Sequence, residues 1–211
     1  MRLFLGAMMV ALLAGPMASA KTVNLEGEGA SITLPDTWDA KTQAAGNVTT
    51  STSLILSAVN AEKNAMVQMM VCSNPNGMQV AQPELIANIK DTLSNQVLSH
   101  GGQIQFTDEG KLEINGVPAY VIQYKATMPT GPATLARSYQ VAGNGKIYLM
   151  AMRTVDPMAD IDLQTIAGSF KFDAPPALPV PKPPVHRLRY YLLAAAGVLV
   201  LIGLGVGYYF Y

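Results

Sequence analysis

The sequence of 211 residues has little that ordinary site chemistry needs: one cysteine, Cys72, and two histidines, His100 and His186. A single thiol excludes an intramolecular disulfide, so a stable domain must rest on an ordinary apolar core. Scarce imidazole also argues against nucleophilic catalysis, which needs a base beside Ser or Cys. His100 precedes Gly101-Gly102 at an expected helix end, where a partly cationic ring suits the negative end of the dipole. His186 falls in a proline-rich stretch, far from any expected pocket. Excess charge of either sign is missing too, since 14 basic side chains balance 14 acidic ones. With no basic patch interleaved with aromatics, nucleic acid is not an expected partner. The sequence also lacks a D-x-D-x-D-G calcium loop, and its glycines are scattered at turns instead of gathered in a phosphate-binding loop. No enzyme and no cofactor is expected.

What is present is hydrophobicity at both ends. Arg2, the apolar stretch from Leu3 to Leu13, the Gly15-Pro16 break and Ala18-Ser19-Ala20 follow the order of a signal peptide with an A-x-A cleavage site. Residues 1–20 are therefore expected to be removed, leaving Lys21 first. At the other end, Tyr190 to Tyr211 is about 22 residues, roughly 33 Å as a helix, enough to cross a bilayer once. Tyr190 and Tyr191 at one end, with Tyr208, Tyr209 and Tyr211 at the other, suit the aromatic belts of the interfaces.

Export followed by a C-terminal span places residues 21–189 outside, with Lys182, Arg187 and Arg189 on the outer face against the positive-inside tendency. Two alternatives stay open. One is a tail-anchored protein with its body in the cytosol; the other is a GPI attachment signal with an acceptor near Ser169 or Ala174. The sequon Asn47-Val48-Thr49 matters only in a eukaryotic secretory pathway. Within the span, Gly203 and Gly207 form a GxxxG pair that can bring two helices close, a possible homodimer face.

Residues 21–172 are long enough for one domain with its own core. Residues 173–189 form a proline-rich linker containing "DAPPALPVPKPPV". Fixed φ angles and missing amide hydrogens favour a semi-rigid polyproline II spacer there, reaching up to about 40 Å at ~3.1 Å per residue. A ligand for PxxP-reading modules is the other reading of the same residues.

Asn76-Gly77, Asn115-Gly116 and Asn144-Gly145 are dipeptides that tolerate the positive φ of tight hairpins. The second joins "KLEI" to "VPAYVIQYKA" and the third joins "RSYQVA" to "KIYLMAMR". "ASITLP", "SLILSAV", "AMVQMMVC" and a short "QIQF" read as further strands, giving a sheet of six or seven. Two helices interrupt them. One starts at Pro83, carries Leu85, Ile86, Ile89, Leu93 and Val97 on one stripe, and ends at Gly101. The other is expected from the N-cap Asp156, with Ala159, Leu163, Ile166 and Phe170 on one face and Asp160 and Asp162 near its start. Asp108-Glu109 is expected in a turn. Each helix has a single apolar stripe, so both should pack on the sheet in an α+β arrangement.

The strand running into Leu34-Pro35-Asp36-Thr37-Trp38 resembles the opening of the PsbP/Mog1/DcrB-like family. So do Ile114-Asn115-Gly116-Val117-Pro118-Ala119-Tyr120, the hairpin Gly145-Lys146-Ile147-Tyr148 and the closing Gly168-Ser169-Phe170-Lys171-Phe172, in the same order from about residue 30 to 172. This resemblance implies an α/β/α sandwich with a central antiparallel sheet and a mostly non-catalytic accessory or assembly role. It supplies no catalytic residues. The chain departs from the pattern in Asp36-Thr37, where a glycine-type turn is usual, and in its C-terminal hydrophobic span.

Two sets of side chains remain as site candidates. Trp38, the single tryptophan, either lines a protein-binding surface or plugs the core. Met66, Met70 and Cys72 share one parity of a strand, where soft donors can hold Cu(I) or simply fill an irregular core, as Met150 and Met152 would. The resulting expectation is a membrane-tethered envelope protein whose exported domain binds or stabilises another protein. Handling of a soft metal is the alternative.

Overall fold

The computed structural model describes residues 19–45 and 52–180. The expected signal up to residue 18, the sequon at Asn47, His186, the span from Tyr190 and the Gly203/Gly207 pair lie outside the described residues. Among the described residues no helix is long and apolar enough to cross a membrane.

Ten strands and two helices follow one another as β1 (Ala20–Leu25), β2 (Ala30–Pro35), β3 (Asp39–Thr42), β4 (Ser53–Asn60), β5 (Ala65–Ser73), α1 (Pro83–Ser99), β6 (Gln103–Ile114), β7 (Val117–Thr127), β8 (Thr134–Gly143), β9 (Lys146–Thr154), α2 (Ala159–Gly168) and β10 (Lys171–Phe172). Seven strands make an antiparallel sheet in the order β3-β4-β5-β9-β8-β7-β6. The expected hairpins form with two-residue turns: Ile114 pairs with Val117 and Gly143 with Lys146. Asn115 (φ 49°) with Gly116 (φ 77°), and Asn144 (φ 54°) with Gly145 (φ 70°), hold both central residues at positive φ. That geometry matches the right-handed twist of the flanking strands.

Side-chain alternation divides the core in two. On one face of the large sheet, Val67, Met69, Val141, Tyr148, Met150 and Met152 pack against β2, α2 and Trp38. On the other, Met70, Cys72, Tyr120, Ile122, Ile147 and Leu149 lie beneath Ile89 and Leu93 of α1. The molecule is thus layered, with α1, then the large sheet, then α2 beside a small second sheet.

That second sheet, ordered β1-β2-β10, departs from the single sheet expected. β2 leaves the main sheet because β1 pairs with it along its whole length, from Ala20↔Pro35 to Leu25↔Ala30, while β10 adds a two-residue ladder on its far side. Neither neighbour carries a legible apolar pattern: β1 is exposed at four of its six positions, and β10 has only two residues.

"QIQF" and "KLEI" prove to be one twelve-residue strand, and Asp108-Glu109 lies within it instead of in a turn. A β-bulge between Phe106 and Asp108 explains the misleading pattern. It shifts the period by one, so Ile104 and Phe106 face α1 whereas Leu112 and Ile114 face the other core. Asn76-Gly77 is not a hairpin turn either; it lies in the connection from β5 to α1, where Asn74 accepts from Met78 N–H at 2.8 Å. The second helix begins at Ala159, after a turn in which Asp156 Oδ1 accepts from Met158 N–H at 2.9 Å.

The first part of the expected spacer is laid against the domain. Asp173 N–H donates to Gly29 O at 2.8 Å, and Asn144 N–H donates to Ala177 O at 2.9 Å. Ala177 N–H returns a bond to Asn144 Oδ1 at 2.9 Å.

Candidate functional site

The described concavity that stands out is a groove of about 510 Å³ on the α1 side of the large sheet, beyond the reach of that helix. Strands β6 and β7 bring Lys111, Glu113 and Pro118 to it on the α1 side, with Leu112 and Ala119 lining it between them although their side chains pack in the opposite core, and β8 adds Ala142. The loop before α1 contributes Val80 and Ala81, and the docked C-terminal segment closes one side with Leu178 and Pro179. Lys111 and Glu113 stand exposed at the rim, one residue apart from each other on the same side of β6. Among the described residues they are the only ionisable side chains that line it, and no histidine, serine or cysteine does. An apolar lining with opposite charges at the margin suits recognition of an extended apolar segment better than proton transfer.

Close backbone approach builds one wall of this groove. A Cβ placed on Gly77 would lie 2.3 Å from Val180 O, and one on Gly143 would lie 2.9 Å from both Phe172 Cζ and Pro176 Cβ. Only glycine at these two positions lets residues 172–180 settle where they do. Phe172 in turn makes edge contacts with Tyr148 (5.4 Å between centroids) and Phe170 (5.1 Å).

Beside that aromatic cluster lies the most buried charged side chain among the described residues. The Glu28 side chain, 1 % exposed, reaches from the β1–β2 turn to accept from Lys146 Nζ at 2.9 Å and from Tyr148 Oη–H at 2.8 Å. Burial foremost, and then the bond to Glu28, raises the Tyr148 phenol above its ordinary range. Both donors converge on the one carboxylate, which is the arrangement of a structural clamp between the two sheets.

The residues singled out from sequence occupy other places. Trp38 is 1 % exposed and belongs to the core between the sheets, so its ring plugs the interior and is not available on a surface. Tight burial follows from the Pro35 turn, where Trp38 N–H donates to Pro35 O at 3.0 Å. Met66, Met70 and Cys72 do share the α1 face of β5, but in different surroundings. Met70 and Cys72 are buried in the α1-side core, while Met66 Sδ accepts from Arg153 Nη2 at 3.8 Å. The Cys72 thiol bonds Ile147 O at 3.7 Å, and burial pushes its pKa up to about 11, which favours the thiol over the thiolate that a soft metal binds. Met150 and Met152 fill the opposite core. His100 caps α1 as expected, with Nδ1 2.8 Å from Gln96 O. Among the described residues no three His, Cys, Asp or Glu side chains converge as metal ligands do.

Sequence reasoning missed the groove residues altogether. Lys111-Leu112-Glu113 was legible as strand, yet nothing in it marks a concavity, and Leu178-Pro179 reads as spacer. The proline spacing at Pro176 and Pro179 reads as a spacer or as a ligand for another module, and neither reading marks a groove on this domain.

No family model matches the chain, and no curated protein matches it in sequence. Among solved structures it is similar to cyanobacterial PsbP (CyanoP) from Synechocystis sp., with a TM-score of 0.56 and 13% identity over 80% of this chain and 98% of that one. It also aligns with the Ran-binding protein Mog1p of Saccharomyces cerevisiae at a TM-score of 0.49 and 8% identity, over 74% and 96% of the two chains. A protein of unknown function from Pseudomonas aeruginosa aligns at 0.38 and 10%, over 78% and 99%. The first of these shows that residues of this chain adopt a PsbP-like fold.

Proposed function

We propose that this chain is a non-catalytic, membrane-tethered protein of a cell envelope whose exported domain binds another protein through the groove between β6, β7 and the docked C-terminal segment. The observation that carries this reading is the groove's lining: Val80, Ala81, Pro118, Ala142, Leu178 and Pro179 give it apolar surface, and Gln79, Lys111 and Glu113 are its polar members. Export and tethering rest on the sequence, through residues 1–20 and the span from Tyr190 to Tyr211.

Site-specific crosslinking in intact membranes tests the binding reading. A photo-reactive residue at Glu113 should trap a discrete protein partner, whereas one at Glu62, in the β4–β5 turn, should not. Equal capture from both positions, or none, removes the groove as the binding surface. A reporter fused after Val180 tests the topology: activity confined to the exported compartment is expected, and activity in the cytosol sinks the tethering scheme.

A further inference from the structure

The large sheet ends on β6, and among the described residues no strand pairs with its outer side. A bare edge of twelve residues is a template for another chain, so its protection decides what can add to it. The two-residue turn makes Ile114 and Val117 a hydrogen-bonded pair, and bonded and non-bonded pairs alternate from there along the antiparallel ladder. The backbone N–H and C=O groups of Glu113, Lys111 and Glu109 therefore point away from β7. Two observations agree. Pro118, which has no N–H to give, is the residue opposite Glu113, and Glu109 N–H donates to a side chain, Asp108 Oδ1, at 2.9 Å.

This edge falls into two parts. From Gln103 to Glu109 it is guarded, because the bulge between Phe106 and Asp108 interrupts the ladder and Asp108 occupies the Glu109 N–H. From Gly110 to Ile114 no such guard stands. Lys111 and Glu113 are exposed and, among the described residues, neither has an ion-pair partner, whereas Lys63, Lys90, Arg137 and Lys146 each have one. Gly110 has neither a positive φ nor any neighbour within 4 Å of an added Cβ, so the fold itself does not call for glycine there. Close approach by a second backbone uses such a position.

We propose that residues 110–114 of β6 pair antiparallel with the same residues of a second copy of this chain, Leu112 lying opposite the second copy's Leu112 on a two-fold axis. Charge fixes the register. Lys111 then stands opposite the second copy's Glu113, and Glu113 opposite its Lys111, each pair exchanging both outward backbone bonds. A register centred on Lys111 sets lysine against lysine and Glu109 against Glu113, and one centred on Glu113 sets those two carboxylates together. One centred on Gly110 needs the Glu109 N–H that Asp108 holds. Residues paired across a sheet share a face, so the grooves of the two copies open on the same side and meet across β6, with the second copy's Lys111 beside Glu113. The contact is short and isologous, of the weak class. It does not depend on the partner-binding reading above.

The full chain in detergent supplies the test, with Gly203→Ile/Gly207→Ile in every sample so that the expected span adds no contact of its own. Raising the chain to about 1 mM should give a dimer in sedimentation and slow amide exchange at Lys111 and Glu113 by at least about threefold, with Gly110 and Leu112, whose N–H groups point to β7, as controls. Lys111→Glu and Glu113→Lys both change exposed positions. Each alone should weaken self-association by at least about tenfold, and an equal mixture of the two should restore it, because every like pair becomes an opposite one.

A chain that stays monomeric at about 1 mM overturns the pairing, as does a dimer with unchanged exchange at Lys111 and Glu113. A dimer that either charge variant leaves intact, or a mixture that stays monomeric, overturns the register. The photo-reactive residue at Glu113 keeps the two readings apart. An adduct of twice the chain's mass bears on this pairing, and an adduct with a different protein bears on partner binding.

Discussion

Tyr148 donates its phenolic hydrogen to Glu28 across 2.8 Å, joining β9 to the turn between β1 and β2. Together with Lys146 this bond ties the small sheet to the large one at a site from which the Glu28 carboxylate has almost no access to water.

Removing the carboxylate should therefore cost more than removing the Tyr148 hydroxyl. Glu28→Ala leaves the Tyr148 hydroxyl without its acceptor, and is expected to destabilise the domain by about 2–3 kcal/mol in urea unfolding. Tyr148→Phe keeps the Lys146 pair and should cost about 1–2 kcal/mol. If the two variants unfold at the same midpoint, the clamp is not organised around Glu28.

Asn115 links the β6–β7 turn to the end of α2, donating from Nδ2 to Gly168 O at 3.0 Å and Phe170 O at 2.7 Å. Asn115→Gly preserves the turn conformation but loses both bonds. A loss of about 1–2 kcal/mol is expected, with faster amide exchange around Phe170. Unchanged stability would show that the hairpin alone fixes this corner.

Arg137 holds Asp160 through two hydrogen bonds, Nε to Oδ1 at 2.7 Å and Nη2 to Oδ2, and this holds the carboxyl below its ordinary value of 3.8. A carboxyl whose folded pKa is depressed stabilises the fold above its unfolded pKa and loses that contribution as pH falls through the folded value. Stability of the parent should thus drop below about pH 3.8 more steeply than that of Asp160→Asn. Denaturant midpoints measured between neutral and strongly acidic pH check this; parallel curves would discount the pair.

Cys72 gives the opposite sign. Its folded pKa stands above the ordinary 9.0, at about 11, so the thiol contributes stability that is fully present below pH 9.0 and lost as pH rises through 11. At pH 8 iodoacetamide should alkylate it at least about a hundredfold more slowly than a free thiol, from the thiolate fraction alone. Rapid labelling of the native protein would mean that α1 opens readily over this core.

The hairpins and helices were legible because each is written locally. Asn-Gly at residues 115–116 and 144–145 dictates positive φ, and the stripe from Leu85 to Val97 has a helical period that no strand satisfies. What stayed hidden depends on contacts distant in sequence. β1 owes its strand conformation to pairing with β2 and carries no apolar alternation of its own. The bulge at Phe106/Asp108 inverts the facing of β6, so a single strand reads as two short pieces. Glu28 looks like an ordinary turn carboxylate until Lys146 and Tyr148, more than a hundred residues later, are folded over it. Proline at 176 and 179 announces an extended chain but not the surface on which it lies, because Gly77 and Gly143 matter only through the side chains they lack.

The central strand of the large sheet, β9, and its neighbour β5 have most of their side chains buried on both faces, toward Trp38 and α2 on one side and toward α1 on the other. Neither hydrophobic layer can melt without wetting the strands on which the other is seated. Despite its three tiers, the domain should therefore come apart as one cooperative unit, with the same midpoint whether the transition is followed by tryptophan fluorescence or by helical dichroism.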